Sequence, residues 1–522
     1  MKNYPLYKHS NITNFKQLID MNADIAPTNS AFCYLSGKEV ISVTYAQFRA
    51  DINALGTYFL PEGLRNAKVA VIGENSYPWL LTYFATVLSG NVIVPIDKEL
   101  PGEDIAELLD RCGAAALVYA DTYSDIGAAM LQGKYVTAAF NMKDFPQYTQ
   151  AGGQLLEIGE NTLTQNEVDE NAVCSIIFTS GTTGKPKGVM LTQRSLMTDA
   201  VSACRNVHFS GPGLLTLPLH HTFAFTASVL VLLVYGLPIC ISRSIRTLTA
   251  DMQTFKPQSI SLVPLYVETI YNGLWKTAKS QGKEKLLKTM IGISGFLRKL
   301  GIDLRRKLFQ SVLQQFGGEL DLLICGGAPL KQSYIDGMDA LGIQVLNGYG
   351  ITECSPVVSV NRNRYYRSGS IGLPLECCEV RIQDGEICVK GDIVMAGYYE
   401  DEAATREVLE DGWFKTGDIG YLDEDGFLFV TGRKKNLIIF SNGKNVAPEE
   451  LEEKILDIAG VKEVVVYAEN DFITAEIFAD EETGIQESVT ALNKELPSYK
   501  RIQKVKFRSS EFEKTTTKKI KR

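Results

Sequence analysis

Apolar runs of strand length alternate with helical patterns along most of this chain. AKVAVIGEN leads into the helix-like SYPWLLTYFATVLSG, then come NVIVPID, the helix-like DIAELLDRCG and the strand-like AALVYAD. Such alternation is the grammar of an α/β fold, in which helices join parallel strands and ligand loops sit at the strands' C-terminal ends. AVCSIIFTS predicts a further buried strand and TQRSLMTDAVSAC a helix with Thr192 as its N-cap. The residues between them are expected to form a strand-to-helix loop. The longest uncharged stretch, residues 214–242, includes TASVLVLLVYGLPICIS. His220, His221, several hydroxyl residues, Pro218, Gly236 and Pro238 interrupt it, so it predicts a core helix followed by a strand rather than a membrane span.

Farther along, residues 412–432 (GWFKTGDIGYLDEDGFLFVTG) are dense in turn residues and short strands, and the cationic RKK follows at 433–435. A domain boundary is expected there. Beyond it come NLIIF, the turn SNGKN, the helix PEELEEKILDIAG, the strands EVVVYAEN and FITAEIFAD, and a basic tail. The expected fold class is therefore α/β. A large N-terminal domain of several subdomains with mixed α/β sheets covers residues 1–432, and a small α+β C-terminal domain covers 433–522.

Composition acts mainly by exclusion. A net charge of -8 over 522 residues argues against a protein whose main task is holding nucleic acid. The ten cysteines include the adjacent pair Cys377 and Cys378 but no CxxC spacing, and MKNYPLYKHS lacks the apolar core of a secretion signal, so a cytoplasmic setting is expected.

The chemistry concentrates in IIFTSGTTGKPKGVMLTQRSL, residues 176–196. Glycines let backbone N–H groups approach an anion, threonine hydroxyls add neutral donors, and Lys187 adds a charge that can follow a phosphate oxygen. It is a phosphate cradle, yet not the Walker loop. GTTGKPKG lacks the GxxxxGK[ST] spacing, and Pro186 would interrupt the helix start which that loop requires.

TSGTTGKPKGV at 179–189 resembles the signature of the adenylate-forming superfamily, which includes acyl-CoA synthetases, peptide-synthetase adenylation domains and luciferases. Further motifs follow in that family's order: VTYAQF at 43–48, SGNVIVPID at 89–97, LPLHHTFAF at 217–225, GGAPL at 326–330, NGYGITE at 347–353, GEICVKG at 385–391 and WFKTGDIG at 413–420. TGRKKNLIIFSNGKNVAPEELE at 431–452 and KTTTKKIKR at 514–522 complete the series. The resemblance spans nearly the whole chain. It implies a two-step reaction, because a carboxylate cannot acylate a thiol while its leaving group is oxide. The carboxylate attacks the α-phosphate of ATP and releases pyrophosphate, and a thiol then displaces AMP. No protein nucleophile is required, consistent with the lack of a G-x-S-x-G elbow.

The resemblance also implies roles for particular residues. Thr179, Ser180, Gly181, Thr182, Thr183, Gly184 and Lys187 would hold the β- and γ-phosphates. Tyr349 would stack on adenine beside Gly326, Gly327 and Ala328, Thr352 would contact the α-phosphate, and Glu353 would bind Mg²⁺. Asp418 would accept hydrogen bonds from the ribose hydroxyls, with Arg433 nearby. Lys519 would bridge the carboxylate and the α-phosphate, although Glu513 and Lys518 replace the family's usual Pro and Gly in that motif, which leaves Lys518 as a competitor. Thr352, Glu353, Lys519 and His221 are the candidate catalytic residues. The C-terminal domain would be mobile about a hinge at Lys435, and Gly443 and Lys444 would line a pantetheine tunnel.

The acid is read from FTAS at 225–228: amino-acid-activating relatives carry an aspartate after the Phe of this segment, where this chain has Thr226, or Ala224 under the other alignment, and neither can neutralise a substrate ammonium. Gly350 stands where acetate-activating relatives place a Trp, which predicts an open acyl slot lined by His221, Phe223, Val229, Val357 and Val358. A medium or long fatty acid is the leading substrate and an aromatic acid the second. The acceptor is free coenzyme A or a separate acyl-carrier protein. A non-catalytic sensor and a luciferase-like oxygenase remain as readings from other classes.

Overall fold

The computed structural model describes residues 4–160, 163, 167–179, 186–440, 445–469, 472–514 and 520. The chain divides into two compact units, a larger one of Lys2–Glu379 with Lys390–Trp413, and a smaller one holding Val380–Val389 and Phe414–Arg522.

Two sheets carry the larger unit. The first has seven strands in the order Gly397–Tyr398, Lys187–Thr192, Val173–Thr179, Val92–Pro95, Lys68–Ile72, Ala114–Tyr119 and Ala138–Asn141. Its last five strands run parallel. Val69, Ala70, Val71 and Ile72 are wholly buried, as a parallel strand covered on both faces must be. Helix Tyr77–Leu88 begins where the Trp79 N–H donates to Ser76 Oγ, and all of it except Pro78 is buried. A helix apolar all round belongs inside a core. Helix Gly102–Cys112 ends at Gly113, whose left-handed backbone (φ +59°) closes the last turn.

One expectation is corrected. The element that follows the glycine and threonine segment is a strand and not a helix, so the strands on either side of that segment pair as a hairpin. Lys187–Thr192 pairs antiparallel with Val173–Thr179, in a register that sets Thr179 opposite Lys187 and Ile177 opposite Val189. Val189 and Leu191 are wholly buried, and burying them within a ladder outweighs an early helix start. The helix, Gln193–Asn206, follows the second strand. Thr192 is its N-cap, within a capping box shared with Ser195.

The second sheet has nine strands: Leu373–Pro374, Val357–Val360, Gln344–Gly350, Leu322–Cys325, Ser259–Leu262, Gly213–Leu215, Ile239–Ile241, Ser30–Ser36 and Glu39–Thr44, in that order. Leu214, Ile260, Leu323 and Val345 pack there with Val267, Leu274, Leu287 and Met338. The uncharged stretch behaves as expected. Residues 222–234 are helical, with a π segment at Thr226–Leu230, and the strand Ile239–Ile241 follows. Among the described residues no helix is long and apolar enough to cross a membrane.

In the smaller unit, strands Glu386–Gly391, Trp413–Leu422 and Leu428–Arg433 pair antiparallel. Strand Phe472–Ala479 lies between Val461–Glu469, antiparallel to it, and Lys504–Arg508, parallel to it. Helices Pro448–Leu456 and Ile485–Glu495 contribute Leu451, Ile455, Ile485 and Val489 to a core shared with Val464, Val466, Ile473 and Ile477. Glu452 is buried and accepts a hydrogen bond from the Val466 N–H, 2.6 Å.

Candidate active site

The hairpin and the NGYGITE segment meet through a tyrosine that the sequence did not single out. Gly397–Tyr398 adds to the free side of strand Lys187–Thr192, with Tyr398 opposite Val189. That pairing puts the Tyr398 ring 4.8 Å from Lys187 Nζ. The phenol of Tyr398 donates a 2.8 Å hydrogen bond to Glu353 Oε1. Burial, and then the Glu353 charge, push the phenol's pKa far above its usual value, so it stays a donor. Glu353 is itself buried on the short 3₁₀ turn Thr352–Cys354, and its carbonyl accepts from the Met395 N–H at 2.8 Å. Lys187 and Glu353, candidates for phosphate and for metal, are thus joined through one side chain.

The turn after Glu353 is fastened tightly. Ser355 is buried with φ +73°, a region that a residue with a Cβ enters only when its surroundings hold it there. Its Oγ donates to the Ile393 carbonyl at 2.8 Å, and its own carbonyl accepts from Thr226 Oγ1 at 2.8 Å. The π segment therefore spends its Thr226 hydroxyl on the NGYGITE turn. Next to it, the Val357 N–H donates to Asp199 Oδ2 at 3.0 Å. Asp199 is wholly buried and its Oδ1 has no hydrogen-bond partner among the described residues, and burial first, then Cys377, raises its carboxyl pKa well above the ordinary range.

Gly350 requires a second correction. An added Cβ would lie 2.1 Å from the carbonyl oxygen of Pro356, so this glycine serves a close backbone approach and does not hold a side-chain slot open. Val229 and Val358, expected to line that slot, are core residues with no exposed surface.

The adenine candidates stand at the ends of neighbouring strands. Gly326, Gly327 and Ala328 follow strand Leu322–Cys325, and Gly327 has φ +85°. Gly326 leaves only 3.0 Å between an added Cβ and Phe223 Cζ, so the LPLHHTFAF segment rests against this turn. Tyr349 is half-buried on strand Gln344–Gly350, opposite Ser359, and Thr352 is half-buried two residues beyond that strand. His221 starts the helical stretch, and its ring lies 4.1 Å from that of His220. His220 Nε2 is 3.6 Å from Asp97 Oδ2; burial lowers its pKa and Asp97 works in the opposite direction. Asn75 anchors the segment by donating to the Leu217 carbonyl and accepting from the Leu219 N–H.

Thr179 ends the first hairpin strand, where its Oγ1 donates to the Lys187 carbonyl at 3.4 Å. Arg111 donates to the Pro186 carbonyl and lies 5.7 Å from the Phe178 ring, which fixes the loop's exit. Ser180, Gly181, Thr182, Thr183 and Gly184 lie outside the described residues, as do Gly443, Lys444, Lys518 and Lys519. Strands Ile438–Ile439 and Asn445–Val446 flank residues 443 and 444, and an isolated bridge between Lys514 and Ile520 brackets residues 515–519.

In the smaller unit Asp418 is buried and sits opposite Arg433, whose Nε lies 2.8 Å from Asp418 Oδ1. Glu386, also unforeseen, accepts from the Gly417 N–H at 2.9 Å and pairs with Lys434 at 2.6 Å. The stretch of strand Trp413–Leu422 that carries Asp418 is thereby held in place. Lys435 falls on the 3₁₀ turn Lys434–Asn436.

Among the described residues no group of three or more His, Cys, Asp or Glu side chains could hold a metal ion alone. A single buried carboxylate suits Mg²⁺ that takes its remaining ligands from phosphates and water.

Residues 19–399 match the family described as AMP-binding enzyme. The chain is 30% identical over 469 residues to the long-chain-fatty-acid–CoA ligase FadD15 of Mycobacterium bovis, covering 84% of this chain and 78% of that protein. It is 27% identical over 491 residues to human long-chain-fatty-acid–CoA ligase 1, covering 84% and 70%. Among solved structures, the o-succinylbenzoate–CoA synthetase of Bacillus subtilis in complex with ATP and magnesium ion superimposes with a TM-score of 0.74 at 22% identity, covering 97% of this chain and 98% of that one.

Proposed function

This chain belongs to the AMP-binding enzyme family and is an AMP-forming acid–thiol ligase; from that premise we propose that it activates a medium or long fatty acid and passes the acyl group to coenzyme A. The observation that carries the reading is the line from Lys187 through Tyr398 to Glu353. Lys187 and the loop it closes neutralise the β- and γ-phosphates, and Tyr398 holds the Glu353 carboxylate toward a cation. Mg²⁺, when bound, offsets charge on the phosphate oxygens. Thr352 orients the α-phosphate for in-line attack by the substrate carboxylate, Lys519 steadies the charge that develops between them, and the P–O bond to pyrophosphate breaks. Tyr349, Gly326, Gly327 and Ala328 hold adenine, and Asp418, braced by Arg433, takes the ribose. The segment after the hinge at Lys435 serves the thioester step, with Gly443 and Lys444 along the path of the thiol, which displaces AMP from the acyl carbon.

The substrate class rests on the FTAS segment. Thr226 is neutral, buried and committed to the Ser355 carbonyl, so it offers nothing to a substrate ammonium group. Pyrophosphate release across a panel of fatty, aromatic and amino acids tests the assignment. Fatty acids should give sustained release with coenzyme A and about one equivalent per enzyme without it. Equal release with every acid, or a preference for an aromatic acid, would overturn the substrate. Sustained turnover only with an acyl-carrier protein would overturn the acceptor.

A further inference from the structure

Helix Glu284–Lys299 turns one side to the protein and leaves an apolar stripe in water. Leu287 and Ser294 are buried, and Arg298 Nη1 is held 2.6 Å from Asp339 Oδ2. At 3.6 residues per turn these three share a face. Leu286, Ile293 and Leu300 follow one another along the next face, seven residues apart, with Phe296 beside them, and they are 57%, 53%, 61% and 63% exposed. Ile302, just after the helix, extends the row. Exposed apolar side chains scattered singly are ordinary, but five along one helix and its following turn form a patch.

Lysines border that stripe. Lys285, Lys288 and Lys299 lie on its far side, away from the packed face. Lys288 pairs with Glu284, whereas among the described residues Lys285, Lys299 and Lys307 have no carboxylate partner. Residues 276–307 carry ten lysines and arginines against two acidic side chains, within a chain whose net charge is -8. The positive charge is therefore local to the exposed apolar row.

We propose that helix Glu284–Lys299 is an interfacial anchor that lays this enzyme reversibly on anionic phospholipid bilayers, its leucine, isoleucine and phenylalanine side chains entering the headgroup boundary and its lysines meeting lipid phosphate. An apolar face beside a basic one is the pattern of a helix lying in the plane of a bilayer. An acidic protein would satisfy the lysines but gives no account of Leu286, Ile293, Phe296 and Leu300 in water. The helix lies on the membrane and does not span it, in keeping with its sixteen residues.

Flotation with vesicles of phosphatidylcholine alone, or with one quarter phosphatidylglycerol, tests this on the full chain. Binding to the anionic vesicles should exceed that to neutral ones at least about tenfold and weaken as salt rises. The double variants Phe296→Ser/Leu300→Ser and Lys285→Glu/Lys299→Glu should each lose about tenfold or more, because a lysine near an anionic surface contributes roughly a fivefold factor. Melting followed by circular dichroism checks their fold, and if the first pair melts early the lysine pair carries the comparison. Absence of binding by wild type, or double variants that float like wild type, would overturn the anchor. So would a dimer in light scattering that the Phe296 and Leu300 changes dissociate without any vesicle binding, which would make the stripe a contact between two copies.

Discussion

At the scale of single residues, Tyr398 matters most because one side chain serves two candidates. Tyr398→Phe keeps the ring beneath Lys187 and removes only the hydroxyl on Glu353. Losing a hydrogen bond to a carboxylate costs roughly 1.5–3 kcal/mol, so the Mg²⁺ concentration for half-maximal pyrophosphate release should rise about tenfold or more. An unchanged Mg²⁺ dependence would separate Tyr398 from the metal. Asp199 gives a prediction of opposite sense. Its folded carboxyl is held neutral, so the stability it contributes is complete below the unfolded pKa of about 4 and falls as pH rises toward the raised folded value. Asp199→Asn retains an acceptor for the Val357 N–H and cannot ionise. Its urea midpoint should exceed that of wild type at pH 8, with the gap closing toward pH 4. Gly350 makes a third case. Gly350→Ala already places a Cβ against the Pro356 carbonyl and should lower stability by roughly 1–3 kcal/mol in denaturant. Gly350→Trp should unfold the turn before it alters chain-length preference, so a stable Trp variant with a sharply lower octanoate-to-acetate kcat/KM ratio would restore the open-slot reading.

At the scale of elements, the hairpin shows what local pattern carries and where it stops. The Thr192 cap and the helix after it were legible, because a hydroxyl that takes up a free N–H of the first turn is a property of adjacent residues. Thr192→Ala should cost about 1 kcal/mol, read as a shift in thermal or urea midpoint, and Thr192→Ser should recover most of it. The strand Lys187–Thr192 was not legible. Its six residues are too few to separate strand from helix by period, and only pairing with Val173–Thr179 on one side and Gly397–Tyr398 on the other settles the matter. The uncharged helix at 222–234 shows the converse. Its polar interruptions were enough to mark a core element, and Thr226, one of them, became a tether to the Ser355 turn.

At the scale of the whole molecule, two half-reactions call for different groups at one carbonyl, and the proposed hinge at Lys435 serves both. Lys519→Ala should slow adenylation by about two or more orders of magnitude, as loss of a preorganised charge at the reacting centre commonly does. It should leave the transfer from synthetic acyl-adenylate to coenzyme A near wild type, and Lys518→Ala should cost far less in the first step. Equal damage from both lysines would assign the tail a different register. The alternation of strands and helices, the caps, the order of the motifs and the core character of residues 214–242 were determined by the sequence alone. Each depends on neighbours along the chain, whose periodicity and backbone needs are written side by side. The tertiary structure alone decided that Tyr398 reaches both Lys187 and Glu353, that Glu386 braces the strand beside Asp418, that Asp199 is shut away from water, and that a carbonyl occupies the space a Cβ at Gly350 would need. Those contacts depend on the register between segments far apart in the chain, and no local pattern encodes which residue a folded sheet sets opposite another.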